Sequence, residues 1–350
     1  MNLKCKDERI MKKIYLLALL ATFLISCSKQ EDIPEEDVQQ ETYVISFGMG
    51  NFETNVETRT GEPKTVYGIN VYYDKEKDGV QNDHYAYGLF DNMNSNSITL
   101  IGGYKYKFVC SLVRDADDHL YYGPYSSNNF SGYAQPFQLS NSSSTAVQNQ
   151  FIIGSSVPYL SGLESGYAVI QSSASSGYSN SGKYPSLERY YGEYANYVPI
   201  ANDRVIIPLK RTYFGNKLIV TGVVNGSVNV TCKIGSDNVW SKSGLTEDYQ
   251  SSGSIYSYNN VYQCWNEENN LTATVSYTYN SNRGDWWNLS GSKNITFKRN
   301  VMTTITINLT PDLSGGSIGI TEEPLGDDNL ITLKGDNGTL EVVTVVPGEE

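Results

Sequence analysis

Histidine is almost missing from this 350-residue chain, with His84 and His119 the only two. Imidazole catalysis and zinc binding usually recruit more than one imidazole, so neither has much material here. Charge is sparse too. Charged residues make up 18% of the chain, and 26 Lys and Arg against 38 Asp and Glu leave a formal net charge of −12. A nucleic-acid binder needs clustered bases, and these are scattered, so no nucleic-acid partner is expected. There are no runs of Ala, Leu, Glu and Lys at helical spacing. A P-loop, a dinucleotide fingerprint, a G-x-S-x-G elbow and zinc-ligand spacing are also lacking, so no cofactor and no enzymatic activity are expected. A glycosidase needs two acids at a set distance in space, and nothing singles out such a pair.

What the chain has in quantity is 28 tyrosines and 31 glycines, with abundant Ser, Thr and Asn. That composition favours strands and turns over helices. The expected fold is all-β: two tandem antiparallel β-sandwich domains, at 42–203 and 204–350.

MKKIYLLALLATFLISCSKQ starts at Met11 with two lysines and an apolar run from Ile14 to Ile25. The run is well short of the ~20 residues of a membrane-spanning helix and reads as a secretory signal, residues 1–26. The preceding MNLKCKDERI reads as an extended start. Leu24-Ile25-Ser26-Cys27 resembles the bacterial lipobox, in which the signal is cut just before a cysteine that is acylated. Cys27 is therefore the expected lipidation site, carrying palmitate-type chains. Residues 27–41 are acidic and lack any apolar period, as expected of an unfolded tether. Acidic residues behind the lipidated cysteine resemble the surface-export signal of Bacteroidetes lipoproteins, which points to the outer face of the outer membrane.

TYVISF alternates Tyr43, Ile45 and Phe47 on one face and reads as a first strand. Further strands are expected at TVYGINVYYDKE, HYAYGLF, SITLIGGYKYKFVCSLV and HLYYGPY. Residues 124–186, rich in Ser, Gly, Asn and Tyr, read as a long surface excursion in which only FIIGSSVPYL is core-forming. Patterning resumes at RVIIPLKRTYFGNKLIVTGVV, and strands follow at SVNVTCKI, IYSYNNVYQCW, LTATVSYTY, NITFK and MTTITINLT. PDLSGGSIGITEEPLGDDN reads as a connection of low apolarity. ITLK and TLEVVTVV flank a DNG turn and can form a local hairpin.

Asp74-Lys75-Glu76-Lys77-Asp78-Gly79 imitates the start of a calcium loop, but Tyr85 stands where the bidentate acid belongs, so a hairpin turn is the reading. Asp115, Asp117 and Asp118 read as a solvated turn. The Arg-Gly-Asp triplet within NRGDWWN is short enough to arise by chance, and a turn accounts for Gly284. Trp286 and Trp287 are adjacent and would point to opposite faces of a strand, leaving one free to stack on a sugar. Cys110 reads as a small packing residue. Cys232 and Cys264 can bridge only if the fold brings them together.

Four features in order, the lipobox at Cys27, a first strand ending before ETRTG, the VIIPLKRTYFGNKLIV opening and the late NITFKRNVMTTITINL, together resemble the fimbrillin-type surface lipoproteins of Bacteroidetes. The resemblance implies transthyretin-like sandwiches and subunits of a cell-surface fimbrium that contribute to adhesion. It also implies an arginine-specific protease cutting after the first strand. Here the bond between Arg59 and Thr60 fits. The pilin would then assemble by donor-strand exchange, with Leu340, Val342 and Val346 of another copy, or of a related fimbrial subunit, replacing Tyr43, Ile45 and Phe47. Until that cut, the lipid on Cys27 would hold the chain to the outer membrane. A monomeric surface glycan-binding lipoprotein is the competing expectation.

Overall fold

Period-two alternation turns into strands over most of the residues described by the computed structural model. It describes residues 40–47, 64–92, 96–121, 132–154, 156–171, 178–180, 183–267, 269–282, 288–310, 315–325 and 331–332. In chain order the first elements are β1 (Thr42–Phe47), β2 (Val66–Tyr73), β3 (Asp83–Phe90), β4 (Ser97–Ile101), β5 (Tyr106–Val113) and the short helix α1 (Ala116–His119). Then come β6 (Phe151–Ile153), β7 (Val169–Gln171), β8 (Tyr178–Asn180), β9 (Arg189–Tyr197), β10 (Arg204–Val205) and β11 (Pro208–Arg211). The second group is β12 (Tyr213–Thr221), β13 (Gly226–Ile234), β14 (Asp237–Leu245), β15 (Tyr249–Gln250), β16 (Ser254–Ser257) and helix α2 (Val261–Glu267). It ends with β17 (Leu271–Ser281), β18 (Asn288–Phe297), β19 (Val301–Leu309), β20 (Gly316–Pro324) and β21 (Ile331–Thr332). The fold is all-β, as its composition implies.

A seven-stranded sheet, ordered β21-β11-β9-β5-β2-β3-β6, is the backbone of the first group. Its central strands are buried on both faces. In β2, Tyr67, Ile69 and Val71 point to one side and Val66 to the other, and in β5 Phe108, Cys110 and Leu112 oppose Val109 and Val113. The first face packs on a three-stranded sheet, β10-β1-β4. The second group forms its own sandwich from sheets β15-β12-β19-β20, with β16 also on β12, and β14-β13-β17-β18. There Phe214 stacks on Phe297 at 4.4 Å, the centre of a core that includes Val230, Val275 and Ile305. Pairing is antiparallel except at β1 with β10 and β12 with β19.

The long Ser/Gly/Asn/Tyr stretch departs from expectation. Within 124–186 the described residues are largely a cover, not a surface excursion. Tyr133, Phe137, Leu160, Leu163 and Ala168 are buried on the second face of the seven-stranded sheet. The cover sits so close that a Cβ on Gly68 of β2 would lie 2.7 Å from a Leu160 methyl. Two polar clamps fix it. Asn70 pairs with the backbone of Leu160 as a strand residue would, its Nδ2 donating to the carbonyl at 2.9 Å and its Oδ1 accepting from the amide at 3.0 Å.

The second clamp is Arg189, a fully buried guanidinium at the start of β9. Its Nε donates to Ser111 Oγ at 2.8 Å, Nη2 to the carbonyls of Gly162 and Leu163 at 2.9 and 2.8 Å, and Nη1 to that of Ser165. Burial lowers its pKa to about 9, which leaves it charged at neutral pH. The carbonyl of Arg189 also accepts from the amide and hydroxyl of Thr212, the one residue between β11 and β12.

Other local readings change as well. IYSYNNVYQCW is not one strand but β16 followed by α2. The connection after residue 310 contains β20, paired with β19 along its whole length. Of HLYYGPY, described as far as Tyr121, Leu120 makes an isolated bridge to Ile170. Cys232 and Cys264 are both buried and free, so no disulfide joins them, and Cys110 is likewise a free packing residue. The acidic hexapeptide is a hairpin turn: Asp74 Oδ2 accepts from the Gly79 amide at 2.9 Å, and Lys77 and Gly79 take positive φ of 56° and 91°. Ile331 and Thr332 pair with Leu209 and Pro208 of β11, so this part of ITLK finds its partner there. The rest of the expected hairpin lies outside the described residues.

Arg189→Met removes one charge and strands its four acceptors. It should lower unfolding free energy by at least about 3 kcal/mol in a denaturant titration. Arg189→Lys should recover little, because one ammonium cannot reproduce the planar fork that reaches both Ser111 and the cover.

Candidate functional site

The sequence-expected assembly site can be tested at its acceptor end, where β1 lies. β1 is the middle strand of its sheet. It runs antiparallel to β4 with Tyr43 opposite Leu100 and Ile45 opposite Ile98, and parallel to β10 with Phe47 opposite Val205. The Ser46 amide donates to the Asp203 carbonyl at 3.0 Å and the Phe47 amide to the Asn96 carbonyl at 2.9 Å. The β4 edge of β1 is thus paired along Thr42–Ser46, and its β10 edge at Ser46 and Phe47.

Side chains divide as the alternation requires. Ile45 and Phe47 are buried, Tyr43 is half-buried, and Val44 on the opposite face is exposed. Phe47 is the anchor: its ring meets Phe108 edge-on at 5.1 Å and Phe151 at 5.1 Å. Ile98 and Leu100 of β4 and Val205 of β10 complete the walls. Without β1 the three-stranded sheet would keep β4 and β10 as facing edges, separated by one strand's width and floored by the aromatic core. The walls were legible as alternation in SITLI, but the parallel partner β10 is a two-residue strand with no sequence signature of its own.

Cys27, Arg59, Thr60, Leu340, Val342 and Val346 lie outside the described residues, as do Trp286, Trp287 and the Arg-Gly-Asp triplet. Among the described residues no group of three or more His, Cys, Asp and Glu side chains is arranged to hold a metal. Asp115 takes a left-handed conformation at the start of α1, and Asp117 accepts a short hydrogen bond from the Tyr133 hydroxyl.

No protein-family model matches the sequence, and no curated protein matches it significantly. Solved structures do resemble it. They include a candidate cell adhesion protein of Bacteroides uniformis, at 8% identity over 81% of this chain and 99% of that one, with a TM-score of 0.32. A candidate polysaccharide-binding protein of Bacteroides thetaiotaomicron aligns at 8% identity over 82% and 99%, TM-score 0.33. A fimbrial assembly protein of Parabacteroides distasonis aligns at 13% over 84% and 98%, TM-score 0.28. At these identities and TM-scores the likeness carries no argument about architecture or activity.

His119 is exposed on α1. His84, on β3, is half-buried between the rings of Tyr72 and Tyr159, at 5.5 and 5.9 Å. Burial holds its pKa below the usual 6.5. The unfolded chain therefore takes up a proton at this residue before the folded protein does, and stability falls as pH drops below about 6.5 until the folded form also protonates.

Two outcomes follow from this geometry. Phe47→Ala should lower stability by about 3–5 kcal/mol in denaturant titration, since the aromatic walls cannot close over the vacated ring. His84→Phe should flatten the fall in melting temperature between about pH 7 and 5 that the parent shows.

Proposed function

We propose that the protein is a surface lipoprotein, tethered to the outer membrane through acylated Cys27, that matures into a structural, non-enzymatic subunit of an adhesive fimbrium. Maturation is a cut between Arg59 and Thr60, and assembly is donor-strand exchange between copies or with related subunits. One observation carries the reading: β1 is a single strand inserted between β4 and β10, with Phe47 and Ile45 in the core. Its C-terminal end leads into the stretch that holds Arg59.

After that cut no peptide bond joins β1 to β2, and β1 is retained only by two ladders and its buried side chains. A second strand with apolar residues at alternate positions can compete for the same place. Main-chain hydrogen bonds give such a strand generic affinity, and its alternate side chains give selectivity. TLEVVTVV puts Leu340, Val342 and Val346 on one face, with Thr344 between the last two, for the groove that Tyr43, Ile45 and Phe47 would vacate. Donor and acceptor are different surfaces of one chain, so the contact is heterologous and propagates a filament instead of closing a ring. The expected division at 42–203 and 204–350 would make each subunit two sandwiches in tandem, with β10 and β11 of the second segment joining the sheets of the first.

Limited trypsin treatment of the full chain should yield a ladder of oligomers that survives mild detergent. The ladder should vanish when residues 336–350 are deleted or when Arg59→Ala blocks the cut. Monomer alone after clean cleavage at Arg59 refutes strand exchange. Mass spectrometry of the protein from its native surface should find two forms, one with acylated Cys27 and one beginning at Thr60.

A further inference from the structure

A second surface has a composition the assembly reading does not use. Helix α2 is docked on the cover through the Val261 amide, which donates to the Glu164 carbonyl at 3.2 Å, and through the Gly166 amide on the Asn259 carbonyl at 2.9 Å. The approach is so close that a Cβ on Gly166 would fall 1.7 Å from the Tyr258 carbonyl oxygen. This docking places Tyr262 and Trp265 of α2 over Tyr191 of β9, ring centroids 6.3 and 5.9 Å away, with 6.2 Å between Tyr262 and Trp265. Tyr262 remains 39% exposed although its ring meets those of Tyr191 and Trp265.

Carboxylates border these rings. Glu193 accepts a short hydrogen bond from the Tyr191 hydroxyl and pairs with Lys107 at 2.8 Å, which holds its oxygens in place. Glu164 carries no salt bridge or side-chain hydrogen bond among the described residues. Burial raises the pKa of its carboxyl, with the Lys107 charge opposing that rise and the Glu193 charge adding to it. Lys210, the other base at the patch, donates to the Trp265 carbonyl at 3.2 Å.

We infer that the patch of Glu164, Glu193, Lys107, Tyr262 and Trp265 binds a neutral oligosaccharide. Tyr and Trp rings offer rigid flat area with small entropy loss on binding, suited to the C–H face of a pyranose. Carboxylates are acceptors only, and a sugar ring edge presents hydroxyl donors to match. The ligand class follows from charge. Glu164 and Glu193 against Lys107 and Lys210 leave the patch without net charge, and both lysines are already engaged, so it has no net attraction for sulfated or uronic glycans and suits a neutral one. The inference does not depend on strand exchange, because no residue in it lies in β1 or in the C-terminal segment.

Isothermal titration of the full chain against four neutral hexasaccharides (cello-, malto-, manno- and xylo-) and hexagalacturonate tests it. At least one neutral probe should bind. Tyr262→Ala and Glu164→Gln should each weaken that binding by about tenfold or more with near-UV circular dichroism unchanged. Deleting residues 336–350 should leave it intact. No heat from any neutral probe at about 5 mM, binding untouched by both substitutions, or hexagalacturonate binding as tightly as the neutral sugars would each overturn the inference.

Discussion

Arg189 holds this molecule together at the point where three chain segments meet. Its guanidinium fastens the cover through three backbone carbonyls and reaches β5 through Ser111, while its own carbonyl anchors Thr212 at the passage into the second group of strands. A buried cation without a carboxylate partner is costly to desolvate, and it is tolerated here because dipoles on several sides replace the lost water. The arrangement is over-determined: moving the cover, β5 or Thr212 strands the same charge.

That clamp accounts for how a polar, glycine-rich stretch becomes structural. Gly, Ser and Asn offer little apolar area, so the cover cannot fold by hydrophobic burial alone. It contributes a few large side chains, Tyr133, Phe137, Leu160 and Leu163, spaced by residues that let the backbone lie flat on β2. Asn70 and Arg189 then supply the hydrogen bonds that a loop at the surface would take from water. With the cover fixed, Glu164 and Ser165 offer α2 a docking edge, and the aromatic and acidic patch is assembled from residues spread between 107 and 265.

The two faces of the seven-stranded sheet therefore have different characters. One is closed by the polar-clamped cover. The other is closed by a three-stranded sheet whose middle member, β1, precedes β2 in sequence but lies in a different sheet from it. A strand so placed is held by noncovalent contacts at its edges and by the Phe47 anchor.

Much was legible from residues alone. Alternation located β1, β2, β5, β12, β13, β17 and β19, because a strand with one wet or differently packed face must repeat every second residue. The lipobox and the acidic stretch behind it are likewise local patterns. Local pattern failed where the partner is distant. Nothing in SIYSYNNVYQCW distinguishes a strand from the turn of helix that docks on the cover, and Cys232 and Cys264 share a core without meeting. Sequence by itself determined which segments alternate, how scarce charge and histidine are, and where a lipid anchor is expected. Tertiary structure alone decided that the Ser/Gly stretch is a lid, that Arg189 is buried, and that Glu164, Glu193 and Tyr262 share one surface. Burial and proximity between residues far apart in the chain depend on long-range packing, which spacing along the chain does not encode.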